Sequence, residues 1–300
     1  MVFVPDARPG RPPDRAFDPA TGDWLPAGPA PDAAASDPAG RLDPTASEPR
    51  ALDAPKRTTG ARIWNAILGI DLGLIGLFFL ASAAVLFLAD QPERDFTASE
   101  LRAGMVVQAI GGLVVLAVIP LAWGVGTRVG GWRGMLVRFQ LDRPWPAAGW
   151  GVLVGIGVLV VLAAFGFAIA EYDERTGDDL ADNPELERIG AALTWPVAIL
   201  VAVGAAVGEE VFFRGLLQRW IGVWGQAVLF GLAHLSYGTE LQVVVPFALG
   251  LFFGWLVKRG ARLWLPIVAH FTYDIVALWA AMEGTQEGPA AGLAALLFGG

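Results

Sequence analysis

The hydrophobic positions of this chain fall in long continuous runs between Arg62 and residue 282, and they do not alternate with polar positions. Because an α-helix rises ~1.5 Å per residue, ~20 apolar residues cross the ~30 Å hydrocarbon layer of a membrane. The predicted fold class is therefore all-α: a polytopic membrane helical bundle of about seven transmembrane helices with a disordered N-terminal tail. The approximate spans are 63–89, 104–125, 147–170, 190–212, 221–238, 241–257 and 263–282.

The first 61 residues have a different pattern, rich in Pro, Ala and Asp and without a long apolar run. Such a segment cannot bury enough apolar surface to offset its ordering entropy, which predicts a disordered cytoplasmic tail. It lacks the basic start and apolar core of a signal peptide, so no cleavage is expected. The predicted organisation is a tail over 1–61, three transmembrane helices over 62–189, a four-helix core over 190–284 and a C-terminal tail over 285–300.

The net charges of the connections between the predicted spans alternate between basic and acidic along the whole chain. The basic residues of these connections include Arg128, Arg133, Arg138, Arg143, Arg214, Arg219, Lys258, Arg259 and Arg262. By the positive-inside rule, this alternation places the N-terminus in the cytoplasm and the C-terminus outside. Trp132, Phe139 and Trp145 lie among arginines in the segment 130–145, which is expected at the cytoplasmic interface.

The composition excludes several classes of protein. With 55% hydrophobic and 17% charged residues, the chain has too little charge to cover a soluble domain of this size. A net charge of -8 does not favour nucleic acid as a partner, and the absence of cysteine excludes disulfides and a thiol nucleophile. The excess of Arg over Lys hints at a bacterial origin, hence a multi-pass protein of the bacterial plasma membrane. No internal repeat supports a two-fold transporter architecture.

Several ionisable residues lie in or beside the last four predicted spans, and each costs ~2.5–3.5 kcal/mol inside the bilayer unless it is paired or faces water. Both histidines of the chain are among them. These residues, with one neighbouring aromatic residue, are Glu209, Glu210, Arg214, Phe230, His234, His270 and Asp274. Asp71 and Asn65, by contrast, are expected to bond across helices or face the interface.

Helical spacing sorts these residues into pairs. Glu210 and Arg214 are four positions apart on one face, where an ion pair lowers the cost of both charges. Glu209 points about 100° away from Glu210 and is free to face another group. His270 and Asp274 are also four apart, so they can hydrogen-bond directly or bracket one small ligand.

Phe230 stands one helical turn before His234 and can pack under its ring. A carboxylate, two imidazoles and a further carboxyl in a dry cavity can hold and deprotonate a water molecule. The same groups suit a divalent metal such as zinc, whose ligands would be Glu209, His234 and His270. The residues alone leave both possibilities open.

The three motifs are Glu209-Glu210-x-x-x-Arg214, Phe230-x-x-x-His234 and His270-x-x-x-Asp274. In order and spacing they resemble the motifs of the CAAX protease and bacteriocin-processing family of intramembrane endopeptidases. The resemblance covers residues 190–282 and makes the segment 190–284 a CAAX-protease-like catalytic core. A single motif is weak evidence, but all three in order on separate spans are specific.

The resemblance implies an endopeptidase that cleaves a membrane-associated protein or peptide near its C-terminus. By the family pattern, Glu209 is the general base, and His234 holds the attacking water. His270 and Asp274 stabilise the oxyanion, while the supporting residues are Glu210, Arg214 and Phe230. The family has been described both as metal-dependent and as a metal-free glutamate protease.

Asp274 departs from the more frequent pattern of the family, which has Asn at this position. An ionised Asp repels an oxyanion, so Asp274 must be protonated, bind a metal or only orient His270. The predicted seven-span topology places Glu209 and His270 near the cytoplasmic side and His234 near the outer end of its span. Tilt or a funnel into the bilayer must reconcile these positions.

Two other functions fit part of the pattern. A non-catalytic immunity or scaffold protein of the same fold would bind a peptide or partner, although binding alone does not need the water-activating pair of glutamates. A transporter or channel would also have intramembrane carboxylates. The expected partners of the enzyme are the lipid bilayer and a membrane-associated substrate.

Overall fold

The computed structural model describes residues 15–17, 24–26, 55–88, 96–177, 184–235 and 241–284. Their helices are α1 (Thr59–Leu88), α2 (Ala98–Leu113), α3 (Ile119–Thr127), α4 (Trp132–Arg138), α5 (Pro144–Thr176), α6 (Pro184–Ala192), α7 (Trp195–Glu209), α8 (Gln218–Ala233), α9 (Leu241–Lys258) and α10 (Trp264–Gly284). Two π-helical segments, Val114–Val118 and Glu210–Leu217, join α2 to α3 and α7 to α8. The predicted helical membrane bundle is confirmed.

The chain divides into two compact units, Met1–Arg50 and Ala51–Gly300. In the first unit, strands β1 (Arg15–Phe17) and β2 (Trp24–Pro26) pair antiparallel, within the segment for which disorder is predicted. The other residues of that tail up to residue 54, and the predicted C-terminal tail 285–300, lie outside the described residues.

The number of predicted spans is not confirmed. Among the described residues, five helical stretches are long and apolar enough to cross a membrane, and a further apolar helix, Val243–Lys258, is shorter. The five are Thr59–Leu80, Ala98–Thr127, Pro144–Thr176, Trp195–Ala233 and Trp264–Glu283.

The predicted fourth and fifth spans, 190–212 and 221–238, largely share one of these stretches. Arg214 does not interrupt the helix, because its charge is paired inside the bundle. The axis instead kinks at Gly222, whose φ of 75° and ψ of -179° are not helical. The helix α6 ends at Ala192, so the first residues of the predicted fourth span belong to a separate helix.

Helices α5 and α10 pack against each other more extensively than any other pair in the described chain. Gly151 and Gly155 provide the small-xxx-small pattern that allows two helix backbones to approach closely in a membrane. A Cβ atom at Gly155 would lie 2.7 Å from both the Ala269 carbonyl oxygen and Thr272 Cβ. This close contact fixes α10 against α5 next to His270, because Ala269 and Thr272 flank that residue.

Replacing Gly155 with alanine should therefore destabilise the protein by about 1–3 kcal/mol, the usual cost of overpacking. Gly157 on the same helix is the matched control, because a Cβ there would meet no atom within 4 Å. Since alanine favours a helix interior over glycine, Gly157→Ala should not lower stability. Circular dichroism in detergent measures the midpoint of thermal unfolding for each of the two variants. Equal midpoints for the two variants would contradict the close packing.

The three basic connections predicted on one side of the membrane meet at one end of the second unit. Arg262 Nη1 lies 2.8 Å from Asp142 Oδ1, and Arg219 Nη2 donates a hydrogen bond to the Arg138 carbonyl. We call this region the basic end, formed by residues 138–143, 218–219 and 258–263. Its orientation in a membrane stays a prediction.

The main hydrophobic core surrounds the second π-helical segment. Phe212, Phe213 and Leu216 of this segment are 2% exposed or less, and Phe139 and Phe230 pack in the same cluster. By contrast, α1 and α5 expose many large apolar side chains, as expected for helices that contact lipid. The segment that carries Glu210 and Arg214 thus lies within this core.

Candidate active site

The glutamate pair stands where an α-helix becomes a π-helix. Glu209 is the last residue of α7, and Glu210 is the first residue of the π-helical segment Glu210–Leu217. Sequence analysis predicts only a regular helix here. Such wide turns, with hydrogen bonds from i to i+5, occur frequently at functional sites. Residues 210–216 are all buried, so both Glu210 and Arg214 are held inside the bundle.

Glu210 lies between a guanidinium and an imidazole. Its Oε1 accepts hydrogen bonds from Arg214 Nη1 at 2.9 Å and from His270 Nδ1 at 3.0 Å. Arg214 and Glu210 are the predicted ion pair, and both side chains are fully buried. Among the described residues, Glu210 Oε2 and two nitrogen atoms of Arg214, Nε and Nη2, have no hydrogen-bond partner. The pair therefore depends on one short contact and on the imidazole.

The second nitrogen of His270 faces two more carboxylates. Its Nε2 lies 3.4 Å from Asp274 Oδ2 and 3.9 Å from Glu209 Oε2. Glu209 and Asp274 are each 21% exposed, whereas the side chain of Glu210 is 0% exposed. The imidazole thus separates a closed side, with Glu210 and Arg214, from an accessible side, with Glu209 and Asp274.

His234 is brought to the cluster through Phe230. Its Nδ1 lies 2.8 Å from the Phe230 carbonyl oxygen, and because a carbonyl only accepts, Nδ1 carries the proton. In a neutral ring this assignment leaves Nε2 as an acceptor. The Phe230 ring centroid lies 4.9 Å from that of His234 and 6.3 Å from that of His270. Both histidines therefore adjoin one aromatic ring, despite the opposite ends expected for them.

Aromatic rings also enclose the buried cation. The Arg214 guanidinium carbon lies 4.2 Å from the Phe230 ring centroid and 5.7 Å from that of Phe253. Such cation–π contacts are attractive and exclude water from the charge. Because the local dielectric is low, the ion pair of Arg214 with Glu210 is stronger than it would be in water.

Sequence analysis missed the contribution of Tyr273. Its ring stacks on His270 at a centroid distance of 4.9 Å and an interplanar angle of 10°, and Phe253 stacks on its other face. Tyr273 follows His270 by three residues, and this spacing brings side chains together on a helix. The spacing could therefore have predicted the contact between the two rings. The imidazole is thus fixed by a ring contact as well as by carboxylates.

Tyr273→Phe should preserve this stacking, whereas Tyr273→Ala should remove it and destabilise the protein by about 3 kcal/mol. Because the chain has only two histidines, NMR of the histidine-labelled protein resolves each ring. We expect the His270 ring resonances to move in Tyr273→Ala and to stay in Tyr273→Phe, with His234 unchanged in both. Unmoved His270 resonances in Tyr273→Ala would contradict the stacking.

The structure brings Glu209, Glu210, Arg214, His270 and Asp274 into direct proximity. In the described part of the chain, no three His, Asp or Glu side chains are arranged to hold one ion. Zinc binding by the predicted ligand set stays a prediction, and so do the catalytic roles of the individual residues.

The fold and site define a helical membrane protein with a buried cluster of carboxylates and histidines. Residues 191–276 match the family model described as type II CAAX prenyl endopeptidase, Rce1-like. The matched range contains every predicted motif position, and the predicted resemblance is confirmed over this segment. It covers less than a third of the chain.

A curated relative is the uncharacterized protein YpbD of Bacillus subtilis (strain 168), which is 30% identical over 128 residues. The alignment covers 41% of this chain and 64% of the relative, so the chain spans less than two thirds of that protein. Its name assigns no activity. No solved structure matches the chain significantly.

Proposed function

We propose that this protein is an intramembrane endopeptidase that cleaves a membrane-associated protein or peptide near its C-terminus, using water activated by Glu209. The observation that carries the proposal is the position of Glu209 Oε2. This oxygen has no hydrogen-bond partner among the described residues and lies 3.9 Å from His270 Nε2. A separation above hydrogen-bond length leaves a place where a water molecule can contact both groups.

In the proposed reaction, Glu209 takes a proton from the water as its oxygen attacks the peptide carbonyl carbon. The carbonyl oxygen becomes an oxyanion, which accepts a hydrogen bond from the doubly protonated His270 through Nε2. Glu209 then gives the proton to the amide nitrogen and the C–N bond breaks, which leaves a carboxylic acid and an amine. The acid proton then passes to the amine, so the products are a carboxylate and an ammonium group. His234, through its acceptor Nε2, helps to orient the water.

Nδ1 of His270 is occupied by Glu210, so only Nε2 can face the substrate. Asp274 orients the His270 imidazole, because its Oδ2 lies 3.4 Å from the same Nε2. Asp274 then holds the imidazole proton until the oxyanion forms. Arg214 pairs with Glu210, whose Oε1 accepts hydrogen bonds from both Arg214 and His270.

To test the proposal, the purified protein is incubated in lipid nanodiscs with a panel of peptides that have a membrane-inserted N-terminal segment. Mass spectrometry identifies the cleaved bond. Cleavage by wild type, lost in both Glu209→Gln and His234→Ala, supports the enzyme. Equal cleavage by the three proteins would disprove it. Metal content and the effect of a chelator, measured on the same preparation, decide whether the water is also held by a metal ion.

A further inference from the structure

A cavity of about 250 Å³ lies at the basic end and touches the cluster of catalytic candidates only at Arg214. It is bounded by the start of α8, the end of α9 and the connections before α5 and α10. Its lining includes the polar residues Gln140, Arg214, Gln218, Arg219 and Lys258 and the apolar residues Phe139 and Leu263. Arg214 pairs with Glu210 in the proposed site, and the other lining residues take no part in the proposed peptidase reaction.

The charged residues that line the cavity favour a negatively charged ligand. Arg219 is exposed and is held in place by its hydrogen bond to the Arg138 carbonyl. Lys258 is exposed at the last residue of α9. No Asp or Glu is among the described residues that line the cavity. Arg214, the third cation of the lining, is paired with Glu210, so Arg219 and Lys258 are the two cations that favour an anion such as phosphate.

The side chains of Gln218 and Gln140 indicate that the ligand also carries hydrogen-bond donors. Gln218 Nε2 donates to the Gly254 carbonyl at 2.9 Å, which identifies its Oε1 as an acceptor. The Oε1 atoms of Gln218 and Gln140 are buried and have no hydrogen-bond partner among the described residues. An unsatisfied buried acceptor is costly, and a ligand hydroxyl would satisfy it.

The backbone of Gln140 adopts a strained conformation at the cavity wall. Its φ is 57°, in the left-handed region that a residue with a side chain rarely adopts. The conformation places its amide at the cavity wall beside Phe139, and such strained residues cluster at ligand sites.

The position of the cavity indicates that its ligand comes from the bilayer. It lies where α9 ends and α10 begins, at the ends of membrane-spanning or apolar helices. Trp132 and Trp255 are 63% and 46% exposed near this end, as expected for the aromatic belt at headgroup level. Phe139 and Leu263 supply an apolar wall.

We propose that this cavity binds the headgroup of an anionic glycerophospholipid. The phosphate lies with Arg219 and Lys258, and headgroup hydroxyls donate to the oxygens of Gln140 and Gln218. Basic pockets between helix ends are known to hold such headgroups. A soluble polyol phosphate has the same chemistry, so the experiment separates the two sources.

The first test measures how much phosphatidylglycerol the purified protein retains by native mass spectrometry, after equilibration with mixed phosphatidylglycerol and phosphatidylcholine. Wild type should retain phosphatidylglycerol preferentially. Lys258→Ala and Arg219→Ala should each lower retention about fivefold. Arg259→Ala is the matched control, because Arg259 is exposed, adjoins Lys258 and does not line the cavity. No preference in wild type, or an equal loss in Arg259→Ala, would overturn the proposal.

The second test addresses the hydroxyl groups. Gln218→Met should reduce the preference for phosphatidylglycerol over phosphatidic acid, whose phosphate has no hydroxyl-bearing substituent, whereas Arg219→Ala should weaken both lipids. The ratio of the two lipids retained by one protein does not depend on the yield of folded variant. An unchanged ratio in Gln218→Met would refute the amide contacts. Stabilisation of the detergent-solubilised protein by glycerol phosphate, equal to that by phosphatidylglycerol, would overturn the lipid as ligand.

Discussion

Glu209→Gln should lower the rate of peptide cleavage about 10²- to 10⁴-fold, the usual contribution of a general base. Glutamine keeps the size of the side chain but cannot accept the proton of the attacking water. Because Glu209 Oε2 has no hydrogen-bond partner among the described residues and the side chain is 21% exposed, the substitution breaks no described hydrogen bond and affects only the 3.9 Å contact with His270 Nε2. The unfolding midpoint should therefore stay close to that of wild type, while cleavage, followed by mass spectrometry, is lost.

Glu174→Gln is the matched control, since Glu174 is exposed near the end of α5 and far in sequence from the motifs. It removes the same charge and should leave cleavage unchanged. If Glu209→Gln cleaved the peptides as fast as Glu174→Gln, Glu209 would not be the base. If wild type cleaved none of the peptides, the non-catalytic immunity or scaffold role would become the better interpretation.

Arg214→Met should destabilise the protein by about 3–5 kcal/mol, because it leaves the fully buried Glu210 carboxylate without its cation. The double variant Glu210→Gln with Arg214→Met should recover much of this loss, since neither residue then requires a buried counter-charge. Chemical denaturation in detergent micelles measures the free energy of unfolding for each variant.

A second ion pair in the chain, which is exposed to solvent, is the control for this prediction. Arg175 and Glu171 form another ion pair with the same four-residue spacing, at 2.5 Å, but their side chains are 75% and 42% exposed. Arg175→Met should therefore cost less than about 1 kcal/mol. Comparable losses for Arg175→Met and Arg214→Met would show that burial does not govern the strength of the pair.

The sequence predicted the class of the fold because apolar runs of sufficient length have few alternatives to membrane helices. It did not predict the number of spans. Charged positions at Arg214 and Arg219 suggest a connection, but an arginine paired with Glu210 can remain inside a helix. The observed kink is at Gly222, whose backbone conformation has no signature in the pattern of hydrophobic positions.

The motif spacing predicted the pairing of Glu210 with Arg214, since residues four apart are neighbours on any helix. The π-helical geometry of the segment that holds them was not predictable. A π turn depends on the surrounding packing, here on Phe212, Phe213 and the rings that contact them, and on no short sequence pattern.

The sequence by itself determined which chemical groups this protein carries inside its predicted spans, since composition and order alone fix two histidines, a glutamate pair and their spacing along the helices. Only the tertiary structure decided that Glu210 and the pair of Glu209 and Asp274 lie at opposite nitrogens of His270. The contact of His270 with Glu210 joins residues 60 positions apart, and local periodicity contains no information about which helices approach each other. Gly155 lets α5 come close to α10, and the Phe230 and Phe253 rings pack around Arg214, so these approaches depend on packing between elements.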